Sequence, residues 1–99
     1  MPVEVYLSDS KLQLKIPYIK YGARDWAKKQ GFRYDPERRV WELDLKKLPE
    51  QKQREIFEKL MALGCRFHYS AIMAVKSVFW ASELKGRYVI TTSGSIYQF

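Results

Sequence analysis

The chain has 99 residues, of which 46% are hydrophobic and 15% aromatic, so it is long enough for one folded domain and too short for two. Its 18 Lys and Arg residues outnumber its 11 Asp and Glu residues, and the formal net charge of +7 favours anionic partners. The single cysteine excludes an intrachain disulfide, and no apolar run reaches the roughly 18 residues of a membrane span. We therefore expect a single domain, residues 1–99, that is cytoplasmic and has no membrane partner.

The first 30 residues predict a β-hairpin followed by a short basic helix. Apolar residues alternate along segments 3–7 and 12–16, and the segment Ser8–Ser10 between them is rich in turn formers. Helical spacing from Ala23 to Gln30 then predicts a helix, which Gly31 ends in the left-handed conformation.

A second hairpin and a longer helix follow. Asp35-Pro36 is the preferred start of a type I turn, so segments 32–34 and 40–43 are expected to pair. From Lys46 to Leu63, apolar residues recur on one stripe behind a proline, and a glycine follows the end, which predicts a helix.

The last third of the chain predicts a strand, a further helix and a closing hairpin. Alternation indicates strands over 65–69, 87–92 and 95–99. Ser70 is a good cap for a helix that runs toward Lys85, but apolar residues occur on nearly all sides of this segment, so a pair of central strands is the alternative. This order of elements predicts an α+β fold with a mainly antiparallel sheet and two or three helices packed on one face.

The positive charge is concentrated in one part of the chain. Nine of the 18 basic residues, but only three of the 11 acidic ones, lie between Lys11 and Arg39. Phosphate contacts supply affinity for nucleic acid, and interleaved aromatic side chains such as Tyr18 and Tyr21 can stack on bases. The alternative is a solvated face that only keeps the protein soluble. The residues predicted to form one shared nucleic-acid-binding face, joined by Lys11 and Lys15, are Lys20, Arg24, Lys28, Lys29, Arg33, Tyr34, Arg38 and Arg39.

Residue types that would indicate catalysis are not grouped in this sequence. His68 is the only histidine, and strand alternation places it on the side opposite Cys65, so we expect Cys65 to be buried and His68 to lie at the surface. Glu42 and Asp44 share a strand face, but the lysines that follow at 46–47 favour ion pairing over a nuclease metal site. We expect no enzyme activity, no metal and no small-molecule cofactor.

The stretch that ends at Trp41 resembles a known family. It reads Ala27-Lys28-x-x-Gly31-x-Arg33-Tyr34-Asp35-Pro36-x-x-Arg39-x-Trp41, preceded by Ile16-Pro17-Tyr18. This pattern resembles the short, functionally uncharacterised domain appended to plasmid and phage primases and anti-restriction proteins. Segment 32–43 is also similar to part of the HARP domain of annealing helicases. The resemblance implies a module of a mobile element that acts near DNA or RNA, in the host cytoplasm if viral, without an activity of its own.

Two functions stay open at this point. The first is sequence-nonspecific binding of the phosphate backbone of DNA or RNA by an accessory protein of a virus, phage or plasmid. The second is a protein–protein interaction module or homodimer that binds a host factor through exposed aromatic residues such as Tyr21 and Tyr97. Salt dependence separates the two, because only the first relies on phosphate contacts.

Overall fold

The computed structural model describes all 99 residues, and they form an α+β fold. The seven strands are β1 (Glu4–Ser8), β2 (Lys11–Lys15), β3 (Arg33–Asp35), β4 (Val40–Asp44), β5 (Arg66–Phe67), β6 (Tyr88–Thr91) and β7 (Ile96–Gln98). The helices are α1 (Tyr21–Gln30), α2 (Glu50–Ala62), α3 (Tyr69–Val78) and α4 (Ala81–Leu84), with a 3₁₀ turn over Leu45–Lys47. None of the four helices has both the length and the apolar composition of a membrane span.

All seven strands belong to one sheet, in the order β3-β4-β2-β1-β5-β6-β7. The sheet is mainly antiparallel, as predicted, since the pairs β1–β2, β2–β4, β3–β4 and β6–β7 all run antiparallel. β5 differs, because it lies parallel to both β1 and β6, with Phe67 opposite Val5 on one side and Thr91 on the other. This strand covers only Arg66–Phe67 of the predicted segment 65–69. Parallel neighbours need long crossover connections, and helices supply them here.

The helices pack on one face of the sheet. Alternate strand residues such as Val5, Leu14 and Phe67 point to this face and enter a single cluster of 19 buried residues. Ile56 of α2 and Val75 of α3 belong to the same cluster. The prediction of an α+β fold with helices on one face is therefore confirmed.

The opposite face of the sheet, which we call the open sheet face, carries no helix. Tyr6, Gln13 and Glu42 lie side by side on it, because residues paired across neighbouring strands point to the same side. The Tyr6 ring stacks on the His68 imidazole with 4.9 Å between ring centroids, and its centroid lies 4.8 Å from Lys15 Nζ. Polar and aromatic side chains thus cover this face instead of a second layer.

The helix predicted near the C-terminus starts earlier than expected and is interrupted. α3 begins at Tyr69 and is capped by His68, whose Nδ1 accepts a hydrogen bond from the backbone N–H of Ser70 at 3.2 Å. Ser70 is therefore not the cap. The backbone is extended at Phe79 and Trp80, so α4 follows as a separate turn and the fold has four helices instead of two or three.

Arg54 on α2 stabilises this interruption from outside the segment. Its guanidinium donates to the backbone carbonyl of Val78 at 3.2 Å and to Oε2 of Glu83 at 3.1 Å. Glu83 also accepts a hydrogen bond from the backbone N–H of Trp80 at 2.7 Å. Arg54 thereby supplies a hydrogen-bond donor to a carbonyl at the end of α3 and orients the Glu83 carboxylate that caps α4.

Candidate functional site

The predicted binding residues do not form one shared face. Tyr34 pairs with Trp41, which packs against the core, whereas Arg33 pairs with Glu42 on the open sheet face. Because consecutive strand residues point to opposite sides of a sheet, Arg33 and Tyr34 belong to different surfaces. Arg24, Lys28, Lys29 and Tyr34 lie on the helix side, Arg33, Arg38 and Arg39 on the open side, and Lys20 beside the N-terminus.

A pocket of about 360 Å³ lies on the helix side, between α1 and the β3–β4 edge of the sheet. Its walls are Arg24 of α1, Tyr18 and Ile16 from the chain before that helix, and the strand residues Tyr34 and Trp41. The Tyr34 and Trp41 ring centroids are 5.3 Å apart, with the ring planes inclined at 53°. We call this cavity the aromatic pocket.

The spacing of basic residues along α1 places two of them beside the aromatic pocket. Arg24 and Lys28 are four positions apart and therefore share one helix face. Lys28 Nζ lies 5.8 Å from the Trp41 ring centroid, and the Arg24 guanidinium carbon lies 4.9 Å from the Tyr18 ring and 4.7 Å from the Tyr21 ring. Cation–π contacts of this kind hold the positive charges beside the aromatic walls.

The pocket has accessible aromatic rings, and one buried nitrogen in its lining has no hydrogen-bond partner. Tyr18 is 75% exposed and Tyr34 49% exposed, so both rings are open to a flat ligand. Nε of Arg24 is the one buried side-chain nitrogen or oxygen in the protein that has no hydrogen-bond partner. Buried donors without acceptors are uncommon in folded proteins, and this one lies in a side chain that lines the pocket.

Most basic side chains in the first 40 residues form no ion pair. Of the basic residues from Lys11 to Arg39, only Arg38 has a carboxylate within 4.0 Å. Its contacts are Asp35 at 3.9 Å and Glu42 at 3.5 Å. The remaining ion pairs lie around α2. The positive charge of the first 40 residues is therefore available to anionic ligands.

Trp41 and Arg66 are not among the binding residues predicted from the sequence. Trp41 nevertheless forms a wall of the aromatic pocket. Arg66 reaches the open sheet face because β5 pairs with β1 and places it opposite Glu4. No local signal indicates this pairing, since the two strands are far apart in the chain.

Cys65 and His68 lie on opposite sides of the sheet, as predicted. Burial raises the pKa of the Cys65 thiol to about 11, while His68 is exposed on the open sheet face. The prediction that Glu42 and Asp44 pair with the lysines at 46–47 is wrong. Glu42 lies 3.5 Å from Arg38, and Asp44 accepts a hydrogen bond from the backbone N–H of Lys46 at 3.0 Å and caps the 3₁₀ turn. No group of three or more His, Cys, Asp or Glu side chains is placed to hold a metal ion.

No protein-family model, curated protein or solved structure matches this chain. The resemblance of Ala27–Trp41 to the primase-appended domain stays a prediction. A functional assignment consequently rests on the surface geometry described above.

Proposed function

We propose that the protein binds single-stranded DNA or RNA without sequence preference, as a small cytoplasmic accessory protein of a virus, phage or plasmid. The aromatic pocket is the observation that carries this proposal. It offers exposed tyrosine rings directly beside two cations that have no acidic partner. Binding of this kind requires no catalytic residue, metal or cofactor.

Stacking explains why an unpaired base is the expected occupant. Single-strand-binding proteins combine a cationic surface with aromatic side chains, and each stacked base contributes about 1–3 kcal/mol. Tyr34 is half exposed and inclined to Trp41, so a base can lie against its free face. Bases within a duplex are already stacked on each other and do not present that face. Since every base has such a face, stacking does not select sequence.

Phosphate groups supply the second part of the interaction. Lys28 and Lys29 are exposed in the last turn of α1, four and five residues after Arg24. A strand whose base enters the aromatic pocket brings its flanking phosphates near these side chains. Their neutralisation releases counterions from the strand, so binding is expected to weaken steeply as salt rises.

Fluorescence anisotropy with labelled oligothymidylate and with a duplex of equal length, each at two ionic strengths, tests the proposal. We expect tighter binding to the single strand and a linear fall of log K with log salt concentration. Tyr34→Ala should weaken single-strand binding by about 1–3 kcal/mol because it removes one stacking platform. Lys28→Gln/Lys29→Gln should reduce the magnitude of the salt slope by about 0.7 for each phosphate that the variant no longer neutralises.

Matched variants separate these effects from general changes in surface or charge. Tyr88→Ala removes a ring that is 58% exposed but lies on β6, away from the aromatic pocket. Lys46→Gln/Lys85→Gln removes two exposed charges outside the pocket. If Tyr34→Ala binds as tightly as Tyr88→Ala, with both folded by circular dichroism, the aromatic pocket is not the binding site.

A protein–protein interaction module is the second candidate function, and a groove beside the N-terminus favours it. This groove, of about 840 Å³, is lined by the exposed apolar residues Ile19, Tyr21 and Leu63 and by two lysines, with no acidic side chain. Exposed apolar surface of this kind marks protein interfaces. Sedimentation velocity on the wild type and on Ile19→Ser/Leu63→Ser tests the homodimer version of this function. A monomer at every concentration contradicts that version.

A further inference from the structure

A second cavity, of about 650 Å³, opens on the other side of the β2 end from the aromatic pocket. Four cationic residues line it and only one acidic residue does. Lys15 comes from the end of β2, Arg38 and Arg39 come from the β3–β4 turn, and Arg66 comes from β5. The acidic residue is Glu4 of β1. We call this cavity the arginine pocket.

The charges around the arginine pocket are not balanced by ion pairs. Lys15, Arg39 and Arg66 have no carboxylate within 4.0 Å. Arg38 forms ion pairs with Asp35 of β3 and Glu42 of β4, so its charge is partly balanced. Oε1 of Glu4 accepts a hydrogen bond from the Tyr6 hydroxyl at 2.9 Å, so this carboxylate is already engaged. The cavity therefore presents a net positive lining.

We propose that the arginine pocket binds a phosphate group. Guanidinium groups present paired N–H donors that match phosphate oxygens, and a lysine adds a compact point charge. Lys15 and Arg39 line the cavity without an ion pair, and Arg38 and Arg66 add positive charge to the lining, although the Arg66 guanidinium extends toward Gly94 of the β6–β7 turn. Such a lining fits a tetrahedral dianion or a phosphodiester better than an uncharged ligand. The shape matters as well, because a ligand inside a concave lining can contact more than one of these residues.

The arginine pocket adjoins the aromatic pocket, and this gives the phosphate a place in nucleic-acid binding. Ile16 lines both cavities, Pro17 lines the arginine pocket and Tyr18 lines the aromatic pocket. A strand that passes around this end of β2 can set a base in one cavity and a phosphate in the other. This second step rests on the proposed function, whereas phosphate binding itself does not.

Titration of the isotopically labelled protein with inorganic phosphate, followed by backbone amide NMR shifts, tests the site directly. We expect saturable shifts at Lys15, Arg38 and Arg39 that sodium chloride of equal ionic strength does not produce. The variant Lys15→Gln/Arg39→Asn should lose saturation, and asparagine is chosen because it tolerates the left-handed backbone of Arg39. Lys46→Gln/Lys85→Gln should keep it. Absence of saturation in the folded wild type, or equal loss in both variants, overturns the proposal.

Oligothymidylates with and without a 5′-phosphate identify the source of the phosphate. If Lys15→Gln/Arg39→Asn weakens both oligonucleotides by about tenfold, the pocket holds a backbone phosphate. If it weakens only the phosphorylated one, the pocket holds a terminal phosphate. Oligonucleotide binding that is unchanged by the variant overturns the link between the two pockets and leaves single-strand binding intact. Failure of any oligonucleotide to bind the wild type, together with saturable inorganic phosphate, overturns the proposed function and leaves the phosphate site.

Discussion

Arg39 occupies a backbone conformation that suits glycine or asparagine better than arginine. Its φ is 57°, and its N–H donates to the backbone carbonyl of Asp35 at 2.7 Å to close the β3–β4 turn. Left-handed geometry costs a side chain with a Cβ about 1–2 kcal/mol. An arginine at this position is thus unfavourable for the fold, and its charge lies at the rim of the arginine pocket.

Arg39→Asn is therefore expected to stabilise the fold by about 1 kcal/mol, because asparagine adopts left-handed geometry at lower cost. The same substitution should weaken phosphate binding. Urea denaturation gives the free energy of unfolding, and the phosphate titration gives the affinity. Arg33→Asn, in an extended strand, is the control and should not gain stability. A variant of Arg39 that loses stability contradicts the prediction.

Cys65 is expected to be unreactive in the folded protein. Its side chain is 3% exposed, and burial raises the pKa of the thiol to about 11. Only the thiolate attacks a disulfide reagent, so at pH 8 the reaction should be slower than that of a free cysteine by about two orders of magnitude. Ellman's reagent measures the rate, with the protein in urea as the accessible reference. Rapid labelling without denaturant would show that the thiol is accessible.

The β1–β2 hairpin shows how far an element can be predicted from local chemistry. Its turn residues Asp9 and Ser10 both have positive φ, at 48° and 64°, as a two-residue type I′ turn requires. Polar residues between two alternating segments predicted this hairpin correctly. The turn is nevertheless built from residues that adopt this geometry less readily than Asn-Gly.

Asp9→Asn/Ser10→Gly should consequently stabilise the protein, by about 1 kcal/mol, because Asn-Gly is the preferred type I′ pair. Thermal and urea unfolding measure the change. The control is Glu37→Asn/Ser77→Gly, which introduces the same two residues at positions with negative φ and should give no such gain. Equal or lower stability of the turn variant would contradict the type I′ assignment.

The junction between α3 and α4 could not be predicted in the same way. Phe79 and Trp80 follow an apolar segment that reads as one continuous helix, and nothing near them in the sequence stops it. The interruption depends on Arg54, which bonds Val78 and Glu83 from another helix. Local propensity favours a longer helix, but this tertiary contact favours two shorter ones.

The pair of Arg54 and Glu83 should make this junction sensitive to acid. Hydrogen bonds from the Arg54 guanidinium and then from the Trp80 N–H lower the pKa of the Glu83 carboxyl below its ordinary value. A lowered pKa in the folded state means that the pair stabilises the protein at neutral pH, and that this contribution is lost as the pH falls through the folded-state pKa. Wild type should therefore lose more stability than Glu83→Gln between about pH 5 and pH 2. Glu55→Gln, at an exposed and unpaired glutamate, should follow the wild type in urea unfolding across that range.

At the scale of the whole molecule, the fold class was predictable and the sheet order was not. Alternation and spacing indicate strands, helices and a buried face. They do not indicate that β5 lies between β1 and β6, since that pairing joins distant segments. Sequence patterns also do not show which of the predicted binding residues share a surface. A run of basic residues shows where charge is concentrated in the sequence. It does not show that the side chains of Arg33 and Tyr34 lie on opposite faces of the sheet.

The Phe67 side chain lies in the core beneath β5, the strand that connects β1 to β6, and it should contribute strongly to the free energy of unfolding. It is fully buried, and its strand lies between β1 and β6. Phe67→Ala should cost about 3–5 kcal/mol, a large part of the roughly 5–15 kcal/mol that stabilises a domain. Tyr69→Ala, at a side chain that is 62% exposed, should cost far less. Near-ultraviolet circular dichroism during urea unfolding measures both. Similar destabilisation of the two variants would contradict a single shared core.

The central position of β1 also governs how the domain emerges from the ribosome. β1 and β2 can form their hairpin while the nascent chain is still short, but the other edge of β1 pairs only with Arg66–Phe67, and β5 in turn needs Tyr88–Thr91. Until those residues have been translated, the hairpin presents bare backbone donors and acceptors along a strand that is interior in the finished protein. Premature release would leave that edge free to add strands from other polypeptides, so completion of translation protects this domain from aggregation.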